Sequence, residues 1–146
     1  LVLLLLIVAC GKSLATISVD VTPSTQTATA GATVDYTLKV TSSDNSPKLV
    51  DSVWMSVTQP GWTYTFDPDI AGQIISGYGS IETTIHVSLP STATAGSYSH
   101  EVSVMVKSFE VTETGSKQFE TEVTTSIPEF ATVAIPAAIA LVAIYL

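Results

Sequence analysis

The segment Ile81–Leu89, IETTIHVSL, alternates without a break. Ile81, Thr83, Ile85, Val87 and Leu89 fall on one parity and Glu82, Thr84, His86 and Ser88 on the other. That is the two-residue period of a strand with one dry face and one wet face. Pro90 ends it. The same pattern recurs on both sides. Upstream, Ile17, Val19 and Val21 precede Pro23, and Val34, Tyr36, Leu38 and Val40 alternate with Asp35, Thr37, Lys39 and Thr41. Val53, Met55 and Val57 then share a face up to Pro60-Gly61, and Trp62, Tyr64 and Phe66 share one before Asp67-Pro68-Asp69. Downstream, Tyr98, His100, Val102, Val104 and Val106 form another face, and Phe119, Thr121 and Val123 form the last. About seven short strands, with turn signals every eight to twelve residues or so, predict an all-β fold: an antiparallel sandwich of two sheets. No stretch from Ala15 to Ser126 keeps a helical period.

Four local expectations accompany this reading. Phe109 and Val111 are one residue out of phase with Val102 to Val106, which predicts a β-bulge near Lys107-Ser108 or a crossing of the strand from one environment to another. Glu113 to Ser116 reads as a hairpin turn, and 70–79 as a glycine-rich irregular stretch. Trp54 alternates against Val53, Met55 and Val57, so it should emerge on the solvent face with Val50 and Ser52.

The two ends are of a different character. Leu1 to Ala9 is an apolar run of signal-peptide length, too short to span a bilayer. Ser13-Leu14-Ala15 offers small residues for cleavage after Ala15, the preferred reading; in the alternative, Ile7-Val8-Ala9-Cys10 resembles a lipobox and Cys10 becomes lipidated. Cys10 is the only cysteine, so no internal disulfide can form and the fold must rest on its core. At the other end, Ile127–Leu146 carries Glu129 as its only charge, and Ala131–Leu146 is almost wholly apolar. That run approaches the roughly 20 residues a membrane helix needs, and Pro136 within it is tolerable in a bilayer. The expected organisation is a signal-peptide remnant over 1–15, one sandwich domain over 16–126 and a transmembrane helix over 127–146. Since no Met opens the sequence and no basic cluster follows Leu146, both ends are expected to continue further.

Charge excludes one class of partner. Five lysines face thirteen carboxylates, a formal charge of −8, and a phosphate backbone would repel such a chain, so nucleic acid is not expected. Asn45 is followed by Ser46-Pro47, which is no N-glycosylation acceptor. His100 sits on an inward parity and reads as a hydrogen-bonded core histidine, while His86 points outward from another strand. Asp44-Asn45 and Asp67-x-Asp69 place oxygen ligands on loops without the spacing of a calcium-binding loop. Glu101, Glu110, Glu113, Glu120 and Glu122 suggest a solvated acidic hairpin face. With no converging carboxylates and no nucleophile beside a base, the expectation is a non-enzyme without catalytic residue, metal or cofactor. Trp54 and Tyr78 are the candidate ligand contacts, as an exposed aromatic patch for a sugar or a protein.

Two resemblances sharpen these expectations. Pro128-Glu129-Phe130, directly before the apolar C-terminal run, resembles the PEF-CTERM sorting signal of archaeal surface proteins. That resemblance implies recognition by a membrane-embedded archaeosortase, removal of the helix and a lipid in its place. The series Ala30-Gly31-Ala32-Thr33-Val34, Gln59-Pro60-Gly61-Trp62, Ser76-Gly77, Leu89-Pro90, Ala93 and Ala95-Gly96-Ser97-Tyr98 resembles the NPCBM-associated Ig-like domain found beside glycosidases such as alpha-galactosidase, and in archaeal S-layer-like proteins. It implies an Ig-like β-sandwich with an extracellular structural or accessory role, and Tyr98 as a tyrosine corner. Together they imply a structural or adhesive module on the extracellular face of the cell membrane, with membrane lipid and an archaeosortase as partners. The alternative is a carbohydrate-binding accessory module that contacts surface glycan or other surface proteins.

Overall fold

A computed structural model describes residues 16–109 and 111–125. The expectations for Cys10, Glu110, Pro128, Glu129 and Phe130 lie outside those residues. Among the described residues nine strands follow one another: β1 (Ile17–Thr22), β2 (Thr25–Thr29), β3 (Thr33–Ser42), β4 (Lys48–Val57), β5 (Thr63–Asp67), β6 (Ile74–Ile75), β7 (Ser80–Ser88), β8 (Gly96–Lys107) and β9 (Thr112–Thr124). They form two sheets, ordered β1-β3-β7-β5 and β2-β9-β8-β4-β6. The two strands beyond the expected seven are the short β2 and β6, whose sequences carry little apolar alternation.

Ile81 to Ser88 of the alternating segment lie in β7, the interior strand between β3 and β5. Tyr36 pairs with Ile85 and Val34 with Val87 across β3 and β7. The inward parities of β3 and β7 therefore converge, and Tyr36, Leu38, Val40, Ile85 and Val87 are all buried. From the facing sheet, Val50, Val102, Val104, Val106, Phe119 and Val123 complete one core between the layers. Burial of this apolar surface is the main term favouring the fold.

β1 and β2 are one extended passage that changes sheets at Pro23-Ser24. β1 runs antiparallel to β3, and β2 runs parallel to β9, pairing Thr25 with Glu120 and Thr29 with Thr124. The passage runs beside β9 from bottom to top. At the bottom, the Glu113 carboxylate accepts from the Thr16 and Ile17 backbone N–H groups at 2.7 and 3.2 Å. A little higher, β1 lies so close to β9 that a Cβ on Gly115 would come within 2.7 Å of Val19 Cγ2. The chain therefore enters the sandwich at one end and leaves it at the other, about 40 Å away along β9 at about 3.4 Å per residue.

Several local expectations are corrected. β8 has no bulge at Lys107-Ser108; the strand ends there, and Ser108 N–H donates to the Val111 carbonyl in the turn to β9. Phe109 and Val111 break phase because they belong to that turn, and both are exposed. Glu113 to Ser116 is no hairpin but part of β9, with Gly115 opposite Val104. The register shifts lie in β4 instead, between Val50 and Ser52 and between Met55 and Val57. The first turns Val50 into the core rather than outward, and the second turns Val57 out of it. The 70–79 stretch is only partly irregular. Val50 N–H donates to the Gln73 carbonyl and Gly72 N–H to the Val50 carbonyl, which docks the segment on β4 and buries Ile70 and Ile75.

Candidate functional site

His100 is fully buried on β8. Its Nδ1 lies 3.0 Å from the Tyr64 hydroxyl and its Nε2 3.0 Å from Thr121 Oγ1. The Tyr64 oxygen accepts from the Gln59 backbone N–H, and the Tyr36 hydroxyl donates to the Glu120 carbonyl while lying 2.7 Å from Thr121 Oγ1. Because each hydroxyl carries one proton, these partners fix a single direction. Tyr64 donates to His100 Nδ1, His100 Nε2–H donates to Thr121, Thr121 donates to Tyr36, and Tyr36 donates to Glu120. The relay crosses between sheets three times and leaves His100 neutral. Burial lowers its pKa from 6.5 to about 4, an effect that the nearby Glu120 carboxylate only partly offsets. Trp62 and Phe119 flank the imidazole, with ring centroids 5.2 and 5.1 Å away. His100 is thus sealed into the core with every polar atom partnered, as a structural histidine and not an accessible base.

The surrounding turns serve the same end. Tyr98 packs its ring 5.0 Å from Trp62 and donates its hydroxyl to the Thr94 carbonyl at 2.9 Å. That is the backward bond of a tyrosine corner. His86 stays on the outer face of β7, 2.6 Å from Asp35 Oδ1. Among the described residues, no group of three or more His, Cys, Asp or Glu side chains is placed to hold a metal ion.

The two aromatic candidates sit in different places. Trp54 stands on the outer face of the five-stranded sheet, 39% exposed, directly across from Ser103. Around it runs a polar chain: Ser103 Oγ donates to Ser56 Oγ at 3.0 Å, Ser56 Oγ donates to Glu101 Oε1 at 2.7 Å, and Gln118 Nε2 donates to Glu101 Oε2 at 3.3 Å. An indole on a flat sheet beside an oriented carboxylate and amide presents both an apolar and a hydrogen-bonding surface. Tyr78 lies beyond the start of β4, 70% exposed, with a left-handed backbone at φ 57° and its N–H on the Asp44 carbonyl at 2.7 Å. About 20 Å of strand separates Lys48 from Trp54, so the two aromatics do not form one patch.

Sequence reasoning missed a third feature at the Tyr78 end. Lys48 is the first residue of β4 and points inward with Val50; its side chain is 3% exposed and its Nζ lies 3.0 Å from Asp44 Oδ2. The Lys48 ammonium and the Ser46 backbone N–H hold the Asp44 carboxyl below its ordinary range. The pair lies at an open groove of about 540 Å³ bounded by Ser46, Phe109, Val111, Glu113 and Thr114. The signal existed, since Lys48 shares its parity with Val50, but the bulge at Asp51 disguised which parity was inward.

Comparison with known proteins agrees with this architecture. A family 123 glycoside hydrolase from Clostridium perfringens, described for glycolipid glycan hydrolysis, superposes with a TM-score of 0.50 at 12% identity, over 77% of this chain and 28% of the hydrolase. Native alpha-2-macroglobulin of E. coli gives 0.49 at 18% identity, over 79% and 7%. The BIgI domain of the S. agalactiae beta protein, solved bound to CEACAM1, gives 0.41 at 12% identity, over 76% and 99%. The chain spans well under two thirds of the first two proteins, and the likeness to the hydrolase, at 12% identity, is one of fold alone. No curated protein sequence matches it. Residues 28–107, more than half of the chain, match the NPCBM-associated, NEW3 domain of alpha-galactosidase, and the chain belongs to that family.

Proposed function

We propose that the chain is a structural or adhesive Ig-like module of the cell surface, exported and held at the outer face of the membrane by its C-terminal segment. On this reading Pro128-Glu129-Phe130 is a sorting signal read by an archaeosortase, and the apolar run after it engages membrane lipid. The module does no chemistry of its own. One observation carries the proposal: the sandwich is entered at Thr16 and left near Thr125 at the opposite end, so a membrane hold beyond Thr125 would project the Thr16 end away from the cell. The sealed His100 relay agrees with it, because the most chemically distinctive group in the core is committed to joining the sheets. The test is fractionation of cells followed by intact mass of the native protein. A membrane-bound chain that ends near Phe130 and carries a lipid is expected. A soluble cytosolic chain with residues 127–146 intact would overturn the proposal.

A second reading is favoured by Trp54. Its exposed indole, beside the Ser103-Ser56-Glu101-Gln118 chain, suits a pyranose ring whose C–H face stacks and whose hydroxyls bond the polar row. Membership of a family that takes its description from a glycosidase supports this carbohydrate-binding alternative. Loss of glycan binding in Trp54→Ala, with folding unchanged, is its expected signature.

A further inference from the structure

We propose that the groove at the Thr16 end of the sandwich binds a neutral saccharide, with Phe109 as the stacking surface and Lys48 as a fixed hydrogen-bond donor. The inference rests on the reading of the chain as a displayed, non-catalytic module and names a ligand class for it. At about 540 Å³ the groove has room for one or two sugar rings. Phe109, at the tip of the turn after β8, is fully exposed, and it also borders an apolar cleft of about 310 Å³ formed with Pro47, Leu49 and Ile74. A large aromatic ring left in water beside a polar hollow presents the two surfaces a sugar offers in return, an apolar C–H face and a hydroxyl edge.

The buried ammonium is the second observation. Lysine is almost never buried without a partner, and burying its ammonium costs desolvation that an apolar residue at the same position would avoid. Here Asp44 holds the Lys48 Nζ at 3.0 Å with its side chain only 3% exposed, so the donor is oriented before any ligand arrives. Asp44 Oδ1 is itself held by the Ser46 N–H at 3.0 Å, which fixes the geometry of the pair. The hydroxyls of Ser46, Thr112 and Thr114 supply further donors and acceptors around the rim.

Charge selects among sugars. Among the described residues of the wall, Asp44 balances Lys48, and Glu113, whose oxygens accept from Thr16 and Ile17, adds one further negative charge. The lining is net negative, so a uronate or sulfated sugar would meet repulsion and a neutral one would not. Position agrees with display, because the groove lies at the end of β9 remote from Thr125.

The test uses the full chain in detergent, captured on a surface, with maltohexaose, cellohexaose, mannohexaose and the anionic hexagalacturonate as probes. At least one neutral hexasaccharide is expected to bind, with Phe109→Ala and Lys48→Met each weakening it about tenfold or more and Trp54→Ala changing it by less than about twofold. Phe109 packs against nothing that the fold needs, so Phe109→Ala decides the matter even if Lys48→Met fails to fold. Binding by none of the neutral probes, or by hexagalacturonate alone, would overturn the proposal. So would binding lost in Trp54→Ala and kept in Phe109→Ala, an outcome that moves the site to the sheet face. Fractionation tests surface display separately, so either idea can fail without the other.

Discussion

Acidification should unlock the core through one residue. His100 is fully buried, its pKa is lowered to about 4, and an unfolded histidine titrates near 6.5. Between those values the unfolded chain binds a proton that the folded chain refuses, so stability falls as pH drops through 6.5 and levels off below about 4. A gap of about 2.5 units, at about 1.4 kcal/mol each, makes the full loss about 3.5 kcal/mol, of which about 3 kcal/mol falls between pH 7 and pH 4, a large part of the stability of a domain this size. The cause is burial: the imidazolium would lose its hydration in the core, and the nearby Glu120 carboxylate only partly compensates. The assay is urea unfolding at a series of pH values for the wild type and His100→Gln, read by the fluorescence of Trp62, whose ring centroid lies 5.2 Å from the imidazole. Subtracting the variant removes the titration of the thirteen carboxylates common to both. The wild-type advantage should shrink by about 3 kcal/mol from pH 7 to pH 4. A difference flat to within about 0.5 kcal/mol would show that His100 takes up its proton without cost and that the relay does not seal it.

Other outcomes follow from single contacts. Tyr36→Phe removes the hydroxyl that joins Thr121 to the Glu120 carbonyl, and should lower the unfolding free energy by about 1–3 kcal/mol by chemical denaturation. Gly115→Ala places a methyl 2.7 Å from Val19 Cγ2 and should cost about 1–3 kcal/mol, while Gly115→Ala combined with Val19→Ala should recover part of that loss. Lys48→Met should raise the titration midpoint of Asp44, measured by NMR, towards that of an ordinary aspartate. The stabilisation Asp44 gains from its lowered pKa is present above its unfolded value and disappears as pH falls through the folded one.

Much of the architecture could be read from residue parity alone. β3 and β7 are interior strands whose alternation is complete, so Tyr36, Leu38, Ile85 and Val87 announced their burial. Parity failed where backbone pairing, and not composition, sets the phase. In β4, two register shifts reverse Val50 and Val57, and nothing in KLVDSVWMSV marks Asp51 as the extra residue. β2 and β6 escaped notice because edge segments of five and two residues owe their form to the strand they join. The turn at Phe109 was mistaken for a phase change because an exposed apolar residue looks like a buried one in sequence. Of the candidate sites, the exposure of Trp54 was legible from its parity. The groove was not, since it depends on Lys48 being turned inward and on two loops distant in sequence meeting at one end.

The parallel pairing of β2 with β9 has a mechanical meaning. Tension applied between Thr16 and Thr125 pulls along the strand axes, so β1 must slide past β3 and β2 past β9 before either can detach. Their hydrogen bonds then share the load and fail together, instead of opening one at a time from an end. Held in this way, the sandwich would resist stretching more firmly than its thermodynamic stability alone suggests.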